Sequence, residues 1–316
     1  MTELNSGHLY PLSLLTLTYS DTNLGGEILI DIVDLHTHST FSDGTFTPTE
    51  LVMYAKEKGI KAIALTDHDT IEGLEEGANA AQKEGIEFIN GIEYAVDCVG
   101  CEIHVLGLCI DRHSKYLQDE IVKLKETRHA RNLKMLKKLN ESGINITLED
   151  IRGTQENAVI TRANFARAIV EKGYVQSHDG AFKKYLSKGR KTYIERERLE
   201  AKTAIETVEK SGGLSFLAHP FLYNLAPKDI EKLIEELVSQ GLNGIEAYHV
   251  SHSQYNIDIL LKIAQKYNLL VCGGSDFHGA NKEGVDLGVG RGNVFVKYEV
   301  LSKIKDEIGK MKGKSN

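Results

Sequence analysis

Residues 28–39 read ILIDIVDLHTHS, an apolar run that ends in His36 and His38. Side chains two apart on an extended strand share a face, so both imidazoles leave this strand end together. A helix should follow over Pro48 to Lys58. Thr47, Pro48 and Glu50 supply its N-cap, a proline at the first helical position and a capping-box acid, and Gly59 closes it. The next apolar run, IKAIALTDHD at 60–69, again ends in a histidine, His68. This alternation predicts an α/β protein built on a parallel sheet or barrel.

The same rhythm continues through a helix over about 70–84 and the runs EFINGIEYAV and EIHVLGLCI. It resumes later with LSFLAHP, GIEAYH, LLVCGGSDFH and NVFV, between helices near 201–211, 228–240, 254–267 and 298–311. In between, one long charged helix over 113–141 and shorter ones near 162–172 and 178–187 break it. We therefore expect an N-terminal extension (1–30), a first barrel part (31–110), a helical cap insertion (111–200) and a second barrel part (201–316). A barrel of about 250 residues fits within this length.

The extension holds LYPLSLLTLTYS but lacks the basic start and clean apolar core of a signal peptide. It is expected to be poorly ordered. No apolar run is long enough to span a bilayer, so no membrane role and a cytoplasmic location are expected. Cys98, Cys101, Cys109 and Cys272 suit buried thiols better than a disulfide framework. The Cys98/Cys101 pair, beside Gly100, reads as a hairpin tip.

Nine candidate metal ligands stand at or just beyond strand ends: His36, His38, Asp43, His68, Glu93, His104, His219, Asp276 and His278. Six imidazoles and three carboxylates exceed one ion's needs and suit a cluster of two or three divalent metals. That stoichiometry points to metal-assisted hydrolysis. Asp34, Asp67 and Asp69 stand beside ligands and are expected to orient histidines. His8, His113, His129 and His178 read as surface residues. His249 and His252 follow a strand, and His249 is kept as a candidate at the pocket rim.

Charge divides the chain unevenly. Residues 111–200 carry 20 Lys and Arg against 13 Asp and Glu, a net of +7, which leaves −14 for the rest of a chain at −7. A basic cap over an acidic, metal-loading barrel suits a polyanionic substrate.

At DLHTHSTFSDG, TDHDT, GIE with a histidine eleven residues on, AHP and GGSDFHG, the chain resembles the PHP (polymerase and histidinol phosphatase) family of metal-dependent phosphoesterases. The resemblance covers about residues 31–285. It implies a distorted (β/α)7 TIM-like barrel and three divalent ions, manganese first, with iron or zinc as alternatives. On that pattern His36, His38, Glu93 and Asp276 hold one ion, Glu93, His104 and His219 a second, and Asp43, His68 and His278 a third.

Within the family, R-x-x-R-N at Arg128, Arg131 and Asn132, and T-R-x-x-F-A-R at Thr161, Arg162, Phe165 and Arg167, resemble the nucleoside 3′,5′-bisphosphate phosphatase and 5′-3′ exoribonuclease group. Asn164 stands where relatives usually carry histidine. Arg128, Arg131, Asn132, Thr161, Arg162, Asn164 and Arg167 are accordingly expected to bind substrate, with the arginine forks gripping a second phosphate. Lys188, Arg190 and Lys191 carry less weight, as a basic loop.

The expected chemistry is attack on phosphorus by a hydroxide shared between ions that Glu93 bridges, the pKa of water falling toward ~7 from about 16. His68 or His249 would protonate the leaving oxygen. The expected substrate is a nucleoside 3′,5′-bisphosphate such as pAp, hydrolysed to AMP and phosphate, with short RNA 5′ ends as an extension and no obligate protein partner. Alternatives are a histidinol-phosphate phosphatase, a polymerase-associated accessory module and a dead nucleotide-binding relic.

Overall fold

The computed structural model describes residues 18–20, 27–29, 31–98, 101–153, 159–195 and 199–314. Thr18–Ser20 (β1) and Glu27–Leu29 (β2) pair antiparallel with each other, apart from the main sheet. What was expected of the remaining N-terminal residues lies outside the described ones.

The barrel grows from β3 (Ile32–Asp34), helix α1 (Pro48–Glu57), β4 (Ala62–Leu65), α2 (Leu74–Glu84) and β5 (Glu87–Cys98). Thr47 and Glu50 form the predicted capping box of α1. β3, β4 and β5 lie parallel, each crossover carried by a helix. β6 (Cys101–Leu108) runs antiparallel to β5, with Cys98 opposite Cys101, as the hairpin reading of that pair expects.

Among the described residues, four helices, the last a single turn, and a two-residue strand come next after β6. They are α3 (Lys115–Glu141), α4 (Leu148–Arg152), α5 (Arg162–Glu171) and α6 (His178–Ala181), then β7 (Leu199–Glu200), which joins β5 in parallel. The helix expected over 178–187 is short because the chain widens into a π-type turn at Phe182–Leu186. α3 serves two bodies. Leu117, Ile121 and Leu124 in its first half pack in the barrel core, whereas Met135 and Leu139 join Phe165, Ile169 and Leu186 in a separate cap core.

The chain returns through α7 (Ala201–Lys210), β8 (Leu214–Leu217), α8 (Pro227–Ser239), β9 (Gly244–His249), α9 (Gln254–Tyr267) and β10 (Leu270–Gly274), and ends with β11 (Val296–Lys297) and α10 (Tyr298–Lys314). Strand order among the described residues is β10-β9-β8-β6-β5-β4-β3-β11. Backbone bonds from Leu35 N to Gly273 O (3.1 Å) and from Asp276 N to His36 O (2.9 Å) join the last barrel strand to the first. The sheet is a nearly closed barrel of seven principal strands, with β6 reversed.

Strand alternation builds the two apolar layers. Ile63 and Leu65 face the helices, while Ala62 and Ala64 join Val33, Phe216 and Cys272, where Leu301 and Ile304 of α10 insert. α10 starts at the amino end of β3, where Tyr298 N donates to Asp31 O at 2.9 Å. The carboxyl ends of the strands are left for chemistry. No helix among the described residues is long and apolar enough to cross a membrane.

Gly274 is required where the seam closes. A Cβ there would lie 2.4 Å from His36 N and 2.6 Å from Asp34 Oδ1. Gly274→Ala is expected to destabilise the protein by about 1–3 kcal/mol, the usual range for an overpacked core, as read by urea unfolding.

Candidate metal centre

The nine predicted ligands come from six strands or the loops that follow them, Glu93 and His104 from within β5 and β6 rather than from strand ends, and they meet at one place. His36, His38, His68, His104 and His219 form a closed circuit of imidazoles, with neighbouring ring centroids 4.7–5.7 Å apart. His278 stacks on His38 at 4.1 Å. Glu93 sits in the middle. Its Oε1 lies 2.7 Å from His104 Nδ1 and 2.9 Å from His219 Nε2. Its Oε2 faces His36 Nε2 (3.3 Å), His38 Nε2 (3.2 Å) and His68 Nδ1 (3.1 Å).

The remaining carboxylates complete two more groups. Asp276 Oδ1 lies 3.4 Å from His38 Nε2 and 3.6 Å from His36 Nε2. Asp43 lies 3.3 Å from His278 Nε2 and 3.8 Å from His68 Nε2. Ligand atoms of His36, His38 and Asp276, and of His38, Asp43, His68 and His278, fall within 4.8 Å of one another.

The chemistry of these atoms fits divalent cations. His36 Nε2, His38 Nε2, His68 Nδ1, Asp43 Oδ1 and Glu93 Oε2 are buried, make no hydrogen bond and face each other. Buried polar groups are rarely left so, and imidazole with carboxylate is a donor set for manganese, iron or zinc. Backbone strain supports the same centre: His219 (φ 28°) and Asp276 (φ 54°) hold left-handed conformations that non-glycine residues seldom adopt.

Electrostatics agree with that fit. Burial works against a charged His36, yet Glu246, Glu93 and Asp276 outweigh it and raise its pKa well above the ordinary imidazole value. Burial is likewise overcome at His38, raised to about 9 beside Asp276 and Glu93, and at His104, raised to about 10 beside Glu93 and Glu102. At His68 burial wins, and the pKa falls to about 4. Glu93 and Asp276 stay well below the usual carboxylate range despite burial, held there by the surrounding imidazoles and, at Asp276, by Lys282. The carboxylates draw positive charge inward.

The neighbouring acids do different work from that expected. Asp34 accepts from Ser275 N (2.9 Å), Ser275 Oγ, Gly288 N and the backbone N of His36 (3.3 Å), so it fastens a loop to the strand end and holds the His36 backbone. Asp67 ties Ser39 and Ser42. Asp69 pairs with Arg128. The residue that does hold a histidine ring is Glu246, whose Oε1 lies 2.9 Å from His36 Nδ1. Sequence reading passed over it, although Gly244-Ile245-Glu246 repeats Gly91-Ile92-Glu93.

His249 lies behind Asp276, its Nε2 3.1 Å from Asp276 Oδ2, and it is missing from the cleft beside the cluster. A bulge explains this inward aim. β9–β10 register slips between Cys272 and Gly273, so Glu246 and His249 are both buried where strict alternation would separate them. His252 is buried and meets Ala247 O at 2.9 Å.

That cleft, of about 160 Å³, is walled by barrel and cap together. Its lining includes Asp43, His68, His104 and Glu102 from the barrel and Arg128, Arg131, Thr161 and Arg162 from the cap. Arg162 reaches Glu102 at 3.1 Å, and Thr161 donates to Asp43 Oδ2 at 3.0 Å. Three residues expected at substrate are used elsewhere. Asn132 donates to Ile160 O (3.1 Å), and Arg167 caps α4 through Asp150 O and Ile151 O. Asn164 completes the capping box of α5 and donates to Ser42 O (3.3 Å), work that needs an amide rather than a charge.

The chain is 36% identical over 245 residues to a 5′-3′ exoribonuclease of Haemophilus influenzae, covering 78% of this chain and 89% of the relative. It is 34% identical over 257 residues to a 3′,5′-nucleoside bisphosphate phosphatase of Chromobacterium violaceum, covering 81% and 90%. A solved structure from Bifidobacterium adolescentis, assigned as a metal-dependent phosphoesterase, matches with a TM-score of 0.78 at 28% identity, covering 87% of this chain and 95% of that one. The PHP domain profile matches residues 34–238. With the barrel and its histidine–carboxylate cluster, these matches identify the chain as a phosphoric ester hydrolase that belongs to the PHP domain family.

Proposed function

We propose that the protein removes the 3′-phosphate of nucleoside 3′,5′-bisphosphates, converting pAp to AMP and phosphate, with three divalent ions, manganese foremost. His36, His38, Glu93 and Asp276 would hold one ion, Glu93, His104 and His219 a second, and Asp43, His68 and His278 a third. Such ions supply Lewis acidity and, at neutral pH, a nucleophile drawn from solvent. The observation that carries the reading is the shared cleft, lined by both cluster residues and guanidinium groups. A substrate with two separated phosphates suits both sets of groups.

On this reading Arg131 and Arg162 take the 5′-phosphate, while Phe182, Tyr193 and Ile194 form an apolar wall for ribose and base. His68 lines the cleft, whereas His249 does not. Histidinol phosphate offers a cation where this cleft presents arginines, which disfavours it. Short RNA 5′ ends suit the same site. Residues 182–193 begin and end on the cleft wall, and Lys183, Lys184, Lys188, Arg190 and Lys191 between them are exposed.

Manganese-loaded protein should release phosphate from pAp and leave AMP, and should turn over histidinol phosphate poorly. Faster turnover of histidinol phosphate would reverse the reading. Arg162→Ala is expected to lower kcat/KM for pAp by roughly 10–100-fold, the worth of one charge-assisted contact. A phenyl phosphate, with no second anion, should be affected far less. Equal losses on both would remove Arg162 from phosphate binding.

A further inference from the structure

We infer that Glu246 is a positioning residue that sets two metal-binding groups at once, through His36 in one and the backbone of His219 in the other. The inference rests on the metal-centre reading above. Glu246 is fully buried and lines no part of the cleft, so it acts through its neighbours. Its Oε1 meets His36 Nδ1 at 2.9 Å, and its Oε2 accepts from His219 N at 2.7 Å. With Nδ1–H donated to the carboxylate, the His36 lone pair is fixed on Nε2. That nitrogen is the one aimed at Glu93 and Asp276.

The second bond holds a costly conformation. His219 sits at φ 28°, ψ 58°, a region that needs outside support, and its ring nitrogen lies 2.9 Å from Glu93. One carboxylate therefore fixes a ring tautomer in the His36, His38 and Asp276 group and a strained backbone in the Glu93, His104 and His219 group. Both partners donate, so both oxygens must accept. Glutamine cannot do this: its amide faces either His219 N–H, donor against donor, or His36, where it drives the proton to Nε2 and blocks ligation.

Glu246→Gln should weaken manganese binding by roughly 10–100-fold, the usual loss when an outer hydrogen-bond partner of a metal ligand is removed. Titration calorimetry and metal analysis read this on protein stripped with chelator. Glu246→Asp keeps the charge but withdraws it by about 1.5 Å, one C–C bond, and should show a smaller loss in the same direction. It also serves where the glutamine variant folds poorly.

A double-mutant cycle separates positioning from general support. In a His36→Ala background, Glu246→Gln should cost clearly less manganese affinity than in wild type, because one of its two partners is gone. Equal losses in both backgrounds would assign Glu246 to the fold alone and overturn the inference, as would wild-type affinity in both Glu246 variants. A wild-type protein that binds no divalent ion would instead sink the metal centre itself, and this inference with it.

Discussion

Replacing Glu93 by Gln is expected to lower phosphate release from pAp by at least about 10³-fold, since a metal contributes several kcal/mol and each 1.36 kcal/mol is tenfold. The two carboxylate oxygens of Glu93 serve different groups, Oε1 facing His104 and His219 and Oε2 facing His36, His38 and His68. An amide supplies one acceptor and turns an N–H₂ toward the other group. Glu93 is only 1% exposed, so water cannot take the missing oxygen's place. Metal content should drop along with turnover, while circular dichroism of the chelator-treated variant stays that of the parent. Full metal content together with activity within tenfold of wild type would refute Glu93 as the shared ligand.

The second large effect is pH dependence of metal loading. In the metal-free cluster His38 titrates at about 9 and His104 at about 10, and His36 is raised well above the ordinary value. At neutral pH these rings carry protons that a cation must displace, because a ligating imidazole is neutral. Apparent affinity should therefore rise with pH, by up to about tenfold per unit for each proton displaced.

Stability moves the opposite way in the stripped protein. A histidine pKa raised on folding adds stability below its unfolded value, near 6.5, and that contribution fades as pH climbs through about 9 and 10. The gap in melting temperature between manganese-loaded and stripped protein should accordingly widen from about pH 6.5 to 8.5. A gap that narrows over that range would contradict proton displacement. Calorimetry in buffers of differing ionisation enthalpy would count the protons directly.

Local signals predicted the α1 capping box, the turn at Cys98 and Cys101 and the strand ends that carry ligands because each depends on neighbours a few residues apart. The cap arginines show where such signals stop. Arg128 and Arg131 lie three apart and both line the cleft, yet Arg128 is also bound to Asp69, 59 residues earlier. Arg167 belongs to the same motif as Thr161 and Arg162 but turns toward α4. Motif membership fixes residue type, whereas direction depends on which acceptor the fold brings near.

The sequence by itself determined the α/β rhythm, the interrupting helices and the placing of seven of the nine imidazoles and carboxylates just beyond strand ends, Glu93 and His104 lying inside their strands, since periodicity and capping are local properties of the chain. Tertiary structure alone decided the division of Glu93 between two groups and the inward turn of Glu246 and His249 at the bulge. Those outcomes rest on hydrogen bonds such as His36 to Glu246, across 210 residues. A strand pattern says which face a side chain takes, and only barrel closure supplies the partner it meets there.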